Sequence, residues 1–235
     1  MVEKIRTKQL TAADKQWLAE HQPYLAIIQD TEESFLIKGL IVFRAVWIEE
    51  EKDFIINPDT ATAGRGIYFN DRYVLRIESP AKKLAILPAV QEAGERIHPI
   101  DARHIDSNRI ACLCSPLAED EVLPHGYVFS EFFQRLVIPF FFAQTYYDQY
   151  KKWPWPEYSH GPIGMFEAFS DSQKDRVATT KCVLHLRELW DWDKYKKILR
   201  RRHGDDISWK RQSLKGFRGV LELRQAVKRY RISLD

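Results

Sequence analysis

His104-Ile105-Asp106-Ser107-Asn108-Arg109-Ile110-Ala111-Cys112-Leu113-Cys114 is the stretch on which the reading of this chain turns. Cys112 falls eight positions after His104, inside a polar segment with no helical or strand periodicity. Upstream runs the extended segment Tyr73-Val74-Leu75-Arg76-Ile77-Glu78-Ser79-Pro80, followed by Leu87-Pro88-Ala89-Val90. The order is strand, Pro-bearing crossover, polar segment, then a Cys-Leu pair. A thiolate is a strong nucleophile, and a cysteine flanked by polar residues can carry acyl groups. The same residue can instead be a small buried hydrophobe.

Thr11-Ala12-Ala13-Asp14 reads as a helix start, with Thr11 as N-cap, and the helix should stop near His21, before Pro23. Phe35 to Trp47 is rich in β-branched and aromatic residues and reads as a long strand, with Gly39 a candidate bulge. Phe54-Ile55-Ile56 is a second strand, and residues 57–71 read as a loop because of Gly64, Gly66, Asn70 and Asp71. Arg72 to Ile77 is a third strand, and Ala89 to Gln91 a short fourth. Residues 99–127 lack periodicity, and a segment that long in a compact domain is commonly functional. Phe129 to Tyr150 is the strongest helix, which Pro139 should kink or split. Three prolines and two glycines in 153–164 exclude regular structure there. Ser170-Asp171 should cap a further helix, and Val220 to Tyr230 should form another.

Together these features resemble the ubiquitin-conjugating enzyme family. The family segment typically reads N-I-D-S-N-G-R-I-C-L, and without gaps this chain has H-I-D-S-N-R-I-A-C-L, residues 104–113. The Ile-Asp-Ser-Asn core and the Cys-Leu pair coincide. Bacterial relatives also carry a W-P-x-G-E-x-x-H-G element after the main helix. Here W-P-W-P-E-Y-S-H-G occupies residues 153–161, with Pro156 where that pattern has Gly. The resemblance implies an α+β, ubiquitin-conjugating-like fold: an N-terminal helix, an antiparallel meander of about four strands and a central helix behind it. It implies a catalytic domain over 8–170 and a basic helical extension over 171–235.

The resemblance further implies a cysteine acyltransferase of the cytoplasm, in a bacterial, antiphage type of ubiquitin-like pathway. Cys112 would carry a ubiquitin-like protein as a thioester, received from an activating enzyme and passed to an amine or hydroxyl of a protein target; a pathway protease is a further partner. The family's His-Pro-Asn triplet is absent: Ala102, Arg103 and His104 stand in its place. His104 can brace the loop, or donate to an oxyanion and act as a base, since imidazole titrates near neutral pH. His160, three residues after Glu157, is a further candidate for moving the acceptor's proton. His125 with Glu119, Asp120 and Glu121 forms another polar cluster. Cys114 is a packing or auxiliary thiol. Trp153, Trp155 and Tyr158 read as an apolar lid. The alternative is an inactive binding scaffold of the same fold; a Cys112–His160 hydrolase is a weaker one.

Composition bounds the rest. With 235 residues, 45% hydrophobic and 13% aromatic, the chain can bury a sizeable core. No apolar run reaches the roughly 18 residues that span a bilayer, and Met1 to Arg6 lead into no apolar signal segment. Three cysteines fit a reducing compartment. A single C-x-C pair is too few sulfurs for structural zinc, and Gly64-Arg65-Gly66 is no phosphate loop, so neither metal nor cofactor is expected. Residues 194–235 hold 14 Lys and Arg against 4 Asp and Glu, on a body of opposite sign. That tail is a solvated face, or a docking surface for an acidic protein or for nucleic acid, the last the least expected of the three.

Overall fold

The computed structural model describes residues 9–79, 87–115, 117–123, 127–156, 158–159, 161–201 and 214–235. Helix α1 spans Ala12–His21. Thr11 and Asp14 form a reciprocal capping box, so two otherwise orphaned amides are satisfied at its start. Trp17 on this helix stands 5.6 Å from the ring of Phe133.

Five strands form one antiparallel sheet: β1 Leu25–Asp30, β2 Phe35–Ile48, β3 Asp53–Ile56, β4 Ile67–Glu78 and β5 Ala89–Glu92. The order is β1-β2-β4-β5, with β3 paired to the far end of β2. Alternation sets the layers. Phe35, Ile37, Ile41 and Phe43 of β2 and Phe69, Tyr73, Leu75 and Ile77 of β4 are buried on one face. The expected bulge is not at Gly39; the register shifts in β1, between Ile27 and Gln29. Gly39 has φ 145°, and a Cβ there would lie 2.1 Å from the Tyr24 carbonyl, so glycine is what admits the turn into β1.

The buried face is covered by one helical run. Phe129–Phe132 is α-helical, Phe133–Val137 is a π turn, and α2 follows at Ile138–Tyr150. The sequence expectation of a break at Pro139 takes this form: Pro139 has no amide to donate back and its ring crowds the preceding turn, and the π turn absorbs the misfit. Phe142 stacks on Phe54 at 4.7 Å and packs edge-on to Phe69 at 5.1 Å, while Phe141 meets Tyr73 at 4.8 Å. Trp155 closes this layer against Trp47 and Phe54, as the lid reading expected. Tyr158 belongs elsewhere, with its hydroxyl on Asp171.

The chain divides into two compact units, residues 1–114 with 121–156, and residues 115–120 with 157–235. The second unit therefore begins before the expected 170/171 boundary. Helix α3, Gly161–Asp171, starts inside the stretch expected to be irregular, because Pro162 is tolerated in a first turn where its missing amide is unneeded. Ser170 and Asp171 end this helix rather than cap the next. Asp175 caps α4, Arg176–Leu189. Helices α5, Trp192–Arg200, and α6, Leu214–Arg229, follow. Gly219 lets α6 lie against α3, since a Cβ there would stand 1.9 Å from the Phe166 carbonyl.

The basic segment is thus no separable tail. Tyr195, Ile198, Leu199, Val220, Leu223 and Val227 sit in the core of the second unit with Phe166, Phe169 and Leu186. Each such side chain contributes roughly 1.5–3 kcal/mol on burial, so together they rival the whole stability of a small unit. Truncation after Trp190 is expected to open helices α3 and α4 to protease within residues 161–189. Limited proteolysis giving the same protection in the truncated and full chains would show that the unit stands without α5 and α6.

Candidate functional site

The cysteine segment folds as a tight hairpin. Ile105 bridges Ala111, the Asp106 amide donates to the Ile110 carbonyl at 3.0 Å, and the Cys112 amide donates to the His104 carbonyl at 2.8 Å. This register sets His104 directly opposite Cys112. The turn is built by Asp106, whose Oδ1 accepts from the amides of Asn108 and Ile110, both at 2.8 Å. The hairpin then extends the sheet: Ile110 bridges Gln91, and the Ala111 amide donates to Val90 at 2.7 Å.

Arg109 takes the left-handed conformation, φ 63°, a position that favours glycine and costs a branched-free side chain about 1–2 kcal/mol. Its guanidinium is held from beneath. It donates to the Glu92 carboxylate, to the Glu92 carbonyl at 2.9 Å and to the Ile97 carbonyl at 3.0 Å. Glu92 is fully buried at the end of β5, and also accepts from the amides of Gly94 at 2.9 Å and Ile97 at 3.3 Å. One carboxylate therefore joins the sheet, the 92–97 turn and the cysteine hairpin.

The other arm of the hairpin is anchored to α2. Residues Asp101–Arg103 form a 3₁₀ turn. Arg103 donates from Nε to Gln144 at 2.7 Å, pairs with Asp148 at 2.9 Å and lies over the Tyr147 ring at 4.8 Å. Gln144 returns a bond to the Arg103 carbonyl at 2.8 Å. His104 follows with φ 51° and meets Trp153 edge-on at 5.5 Å, and Trp153 packs on Tyr147 at 4.9 Å. Behind this set Arg96 grips Asp71 with two bonds of 2.5 and 2.7 Å, and Thr145 donates to Asp71 at 2.6 Å. These donors hold the Asp71 carboxyl below the ordinary carboxylate range, against the opposing effect of its burial.

Cys112 is exposed, Cys114 half-buried against the core, and Cys182 fully buried on α4. Although Cys112 is open to solvent, its thiol is pushed above the ordinary cysteine value. Protein packed about the ledge withholds water from the thiolate, and the Asp106 charge adds to the effect. A thiol in this state is not primed to attack an unactivated ester, but can exchange with an acyl group that arrives already activated.

Of the residues expected at the site, Cys112 and His104 come together. His160, Glu157 and His125 lie outside the described residues, as do the side chains of Asp120 and Glu121. Glu119 begins a short helix, Glu119–Val122. Glu92, Arg103, Gln144 and Asp148 were not anticipated. Gln144, a polar residue amid Phe140-Phe141-Phe142-Ala143, carried a readable signal; Glu92, at the end of a short strand, carried none. Among the described residues no group of three or more His, Cys, Asp or Glu is arranged to hold a metal, and no helix is long and apolar enough to cross a membrane. No protein-family model, characterised protein or solved structure matches this chain.

Proposed function

We propose that the chain is a ubiquitin-conjugating-type transferase of the kind its cysteine segment resembles. The observation that carries this reading is an exposed cysteine set just past a hairpin turn made of the Ile-Asp-Ser-Asn residues, with a histidine opposite it. The α+β arrangement supports it: a capped N-terminal helix, an antiparallel sheet, the cysteine hairpin and then a helix behind the sheet. Arg109 supports it too, since the family segment has Gly where this chain adopts a left-handed residue.

In the proposed reaction the Cys112 thiolate attacks the thioester joining a ubiquitin-like protein to its activating enzyme, and the enzyme's sulfur leaves as thiolate. A target amine or hydroxyl then attacks the new thioester, its proton passes to a base, and Cys112 leaves as thiolate. A shallow ledge suits this chemistry because donor and acceptor are both proteins. The pathway proposed is the bacterial, phage-defence type that the Trp-Pro…His-Gly element resembles, with His160 a proton-moving group on sequence grounds alone. The deciding experiment mixes the chain with activating enzyme, ATP and ubiquitin-like protein from its own genome. A reductant-sensitive adduct on the chain is expected. Its absence, with the activating enzyme itself charged, would leave a binding scaffold as the better reading.

His104 is expected to act in discharge. A ring N–H can stabilise the oxyanion, and the neutral ring can accept a proton. His104→Ala should slow single-turnover discharge to lysine, serine or threonine by roughly tenfold to a thousandfold, with charging little changed. His104→Asn should restore part of the lysine rate and less of any hydroxyl rate. Equal discharge by wild type and His104→Ala would reduce His104 to a brace for the hairpin.

A further inference from the structure

The sheet face opposite the one that α2 covers is exposed and strongly charged. On it β2 presents Lys38, Leu40, Val42 and Arg44, and β4 presents Tyr68, Asn70, Arg72, Val74 and Arg76. Register makes Lys38 the direct neighbour of Arg76, and Val42 that of Arg72. Like charges opposite one another weaken a sheet by a few tenths of a kcal/mol to about 1 kcal/mol. Arg76 is answered by Glu78. Lys38, Arg44 and Arg72 are exposed and have no carboxylate partner among the described residues. From Lys38 to Arg44 the cations cover about 20 Å along the strands. Tyr68 is 48% exposed at one end of this ribbon. At the other end lies a shallow pocket of about 310 Å³ walled by Arg76, Glu78, Ala89, Gln91, Asn108 and Ile110.

We infer that this face binds single-stranded nucleic acid. Unanswered cations on a flat surface track a phosphate backbone, and an exposed ring supplies a platform for a base. Two of the three unanswered cations are arginines, whose planar forks pair with phosphate and stack on bases. The pocket brings polar Gln91 and Asn108 together with apolar Ile110 beside the Arg76–Glu78 pair, a mixture that suits the polar edge and apolar face of an unstacked base. An acidic protein would use the cations but leaves the ring and the amide-lined pocket without a role. The site is separate from the proposed acyl transfer, and neither reading needs the other.

The test is fluorescence anisotropy with a labelled oligodeoxythymidylate of about twelve nucleotides, across a salt series. Binding should weaken steeply with salt, and Arg72→Ala should lower the slope of log affinity against log salt by about 0.7. Arg72→Glu should weaken binding at least tenfold or so, while Lys197→Glu, the same charge change on exposed α5, should stay within about twofold. Tyr68→Ala should weaken binding about five- to a hundredfold and leave the salt slope unchanged. All three positions are exposed, and matching thermal melts would confirm that the variants fold. No binding at low salt, equal losses for Arg72→Glu and Lys197→Glu, or competition by polyglutamate as strong as by the oligonucleotide would each overturn the inference. The last outcome would assign the face to an acidic protein.

Discussion

Cys112→Ala is expected to abolish the reductant-sensitive adduct, while Cys114→Ser keeps most of it. The two sulfurs are two residues apart, but the structure separates their circumstances. Cys112 follows the hairpin and is exposed, whereas Cys114 is half-buried against the first unit's core. An acyl donor carried by a protein can reach only the open one. The raised Cys112 thiol adds a pH signature. A group whose charged form is disfavoured gains thiolate later as pH rises, so carboxymethylation of Cys112 should still be accelerating past about pH 8.5, the ordinary cysteine midpoint. Mass mapping of the alkylated peptide separates the two sites. Loss of the adduct in Cys114→Ser with retention in Cys112→Ala would move the chemistry to the other sulfur, and a rate that levels off well below pH 8 would show an activated thiol.

Glu92→Ala is expected to be the most destabilising single change near the site. It removes the carboxylate from a fully buried position and strands the Arg109 guanidinium together with the amides of Gly94 and Ile97. Breaking one side of a buried pair costs about 3–5 kcal/mol, much of it the penalty for the group left behind. Arg109→Ala should cost less, because Arg109 is partly exposed and alanine leaves no charge unpaired. The two changes together should cost less than their sum, with a coupling of about 0.5–3 kcal/mol measurable by urea unfolding. A loss below about 1 kcal/mol for Glu92→Ala would mean that the hairpin is held mainly by its backbone bonds.

Much of the first unit was legible before any coordinates. Thr11 capping α1, the run Phe35–Trp47, and the aromatic helix with its Pro139 defect all follow from local chemistry, and local chemistry prevailed there. The failures have tertiary causes. Asn70 and Asp71 read as loop residues, yet both lie inside β4. Asp71 is satisfied by Arg96 and Thr145 from distant segments, and Asn70 faces solvent on the open side of the sheet. β1 was missed because its short, uncharged Leu-Ala-Ile-Ile run gains its strand character only from pairing with β2. At the site, Cys112 and His104 could be read because the segment is contiguous. Glu92 could not, since its role arises from a pairing 17 residues away, and Gln144 stood out as polar in an apolar run without revealing its partner, 41 residues off. In the second unit charge obscured the reading: α5 and α6 carry many cations, but their apolar stripes supply its core.

The π turn at Phe133–Val137 has a consequence for how the helical run is indexed. A π turn closes on i→i+5 and so holds one residue more than the α turn it replaces. Closing it as an ordinary α turn with no residue removed would swing everything beyond it by about 100° around the axis. Phe141 and Phe142, now seated on Tyr73, Phe54 and Phe69, would point away from the sheet, and Gln144 and Asp148 would no longer face Arg103. The extra residue works as the tooth of a ratchet. It fixes the angular phase between the half of the run that meets α1 and the half that braces the arm bearing His104.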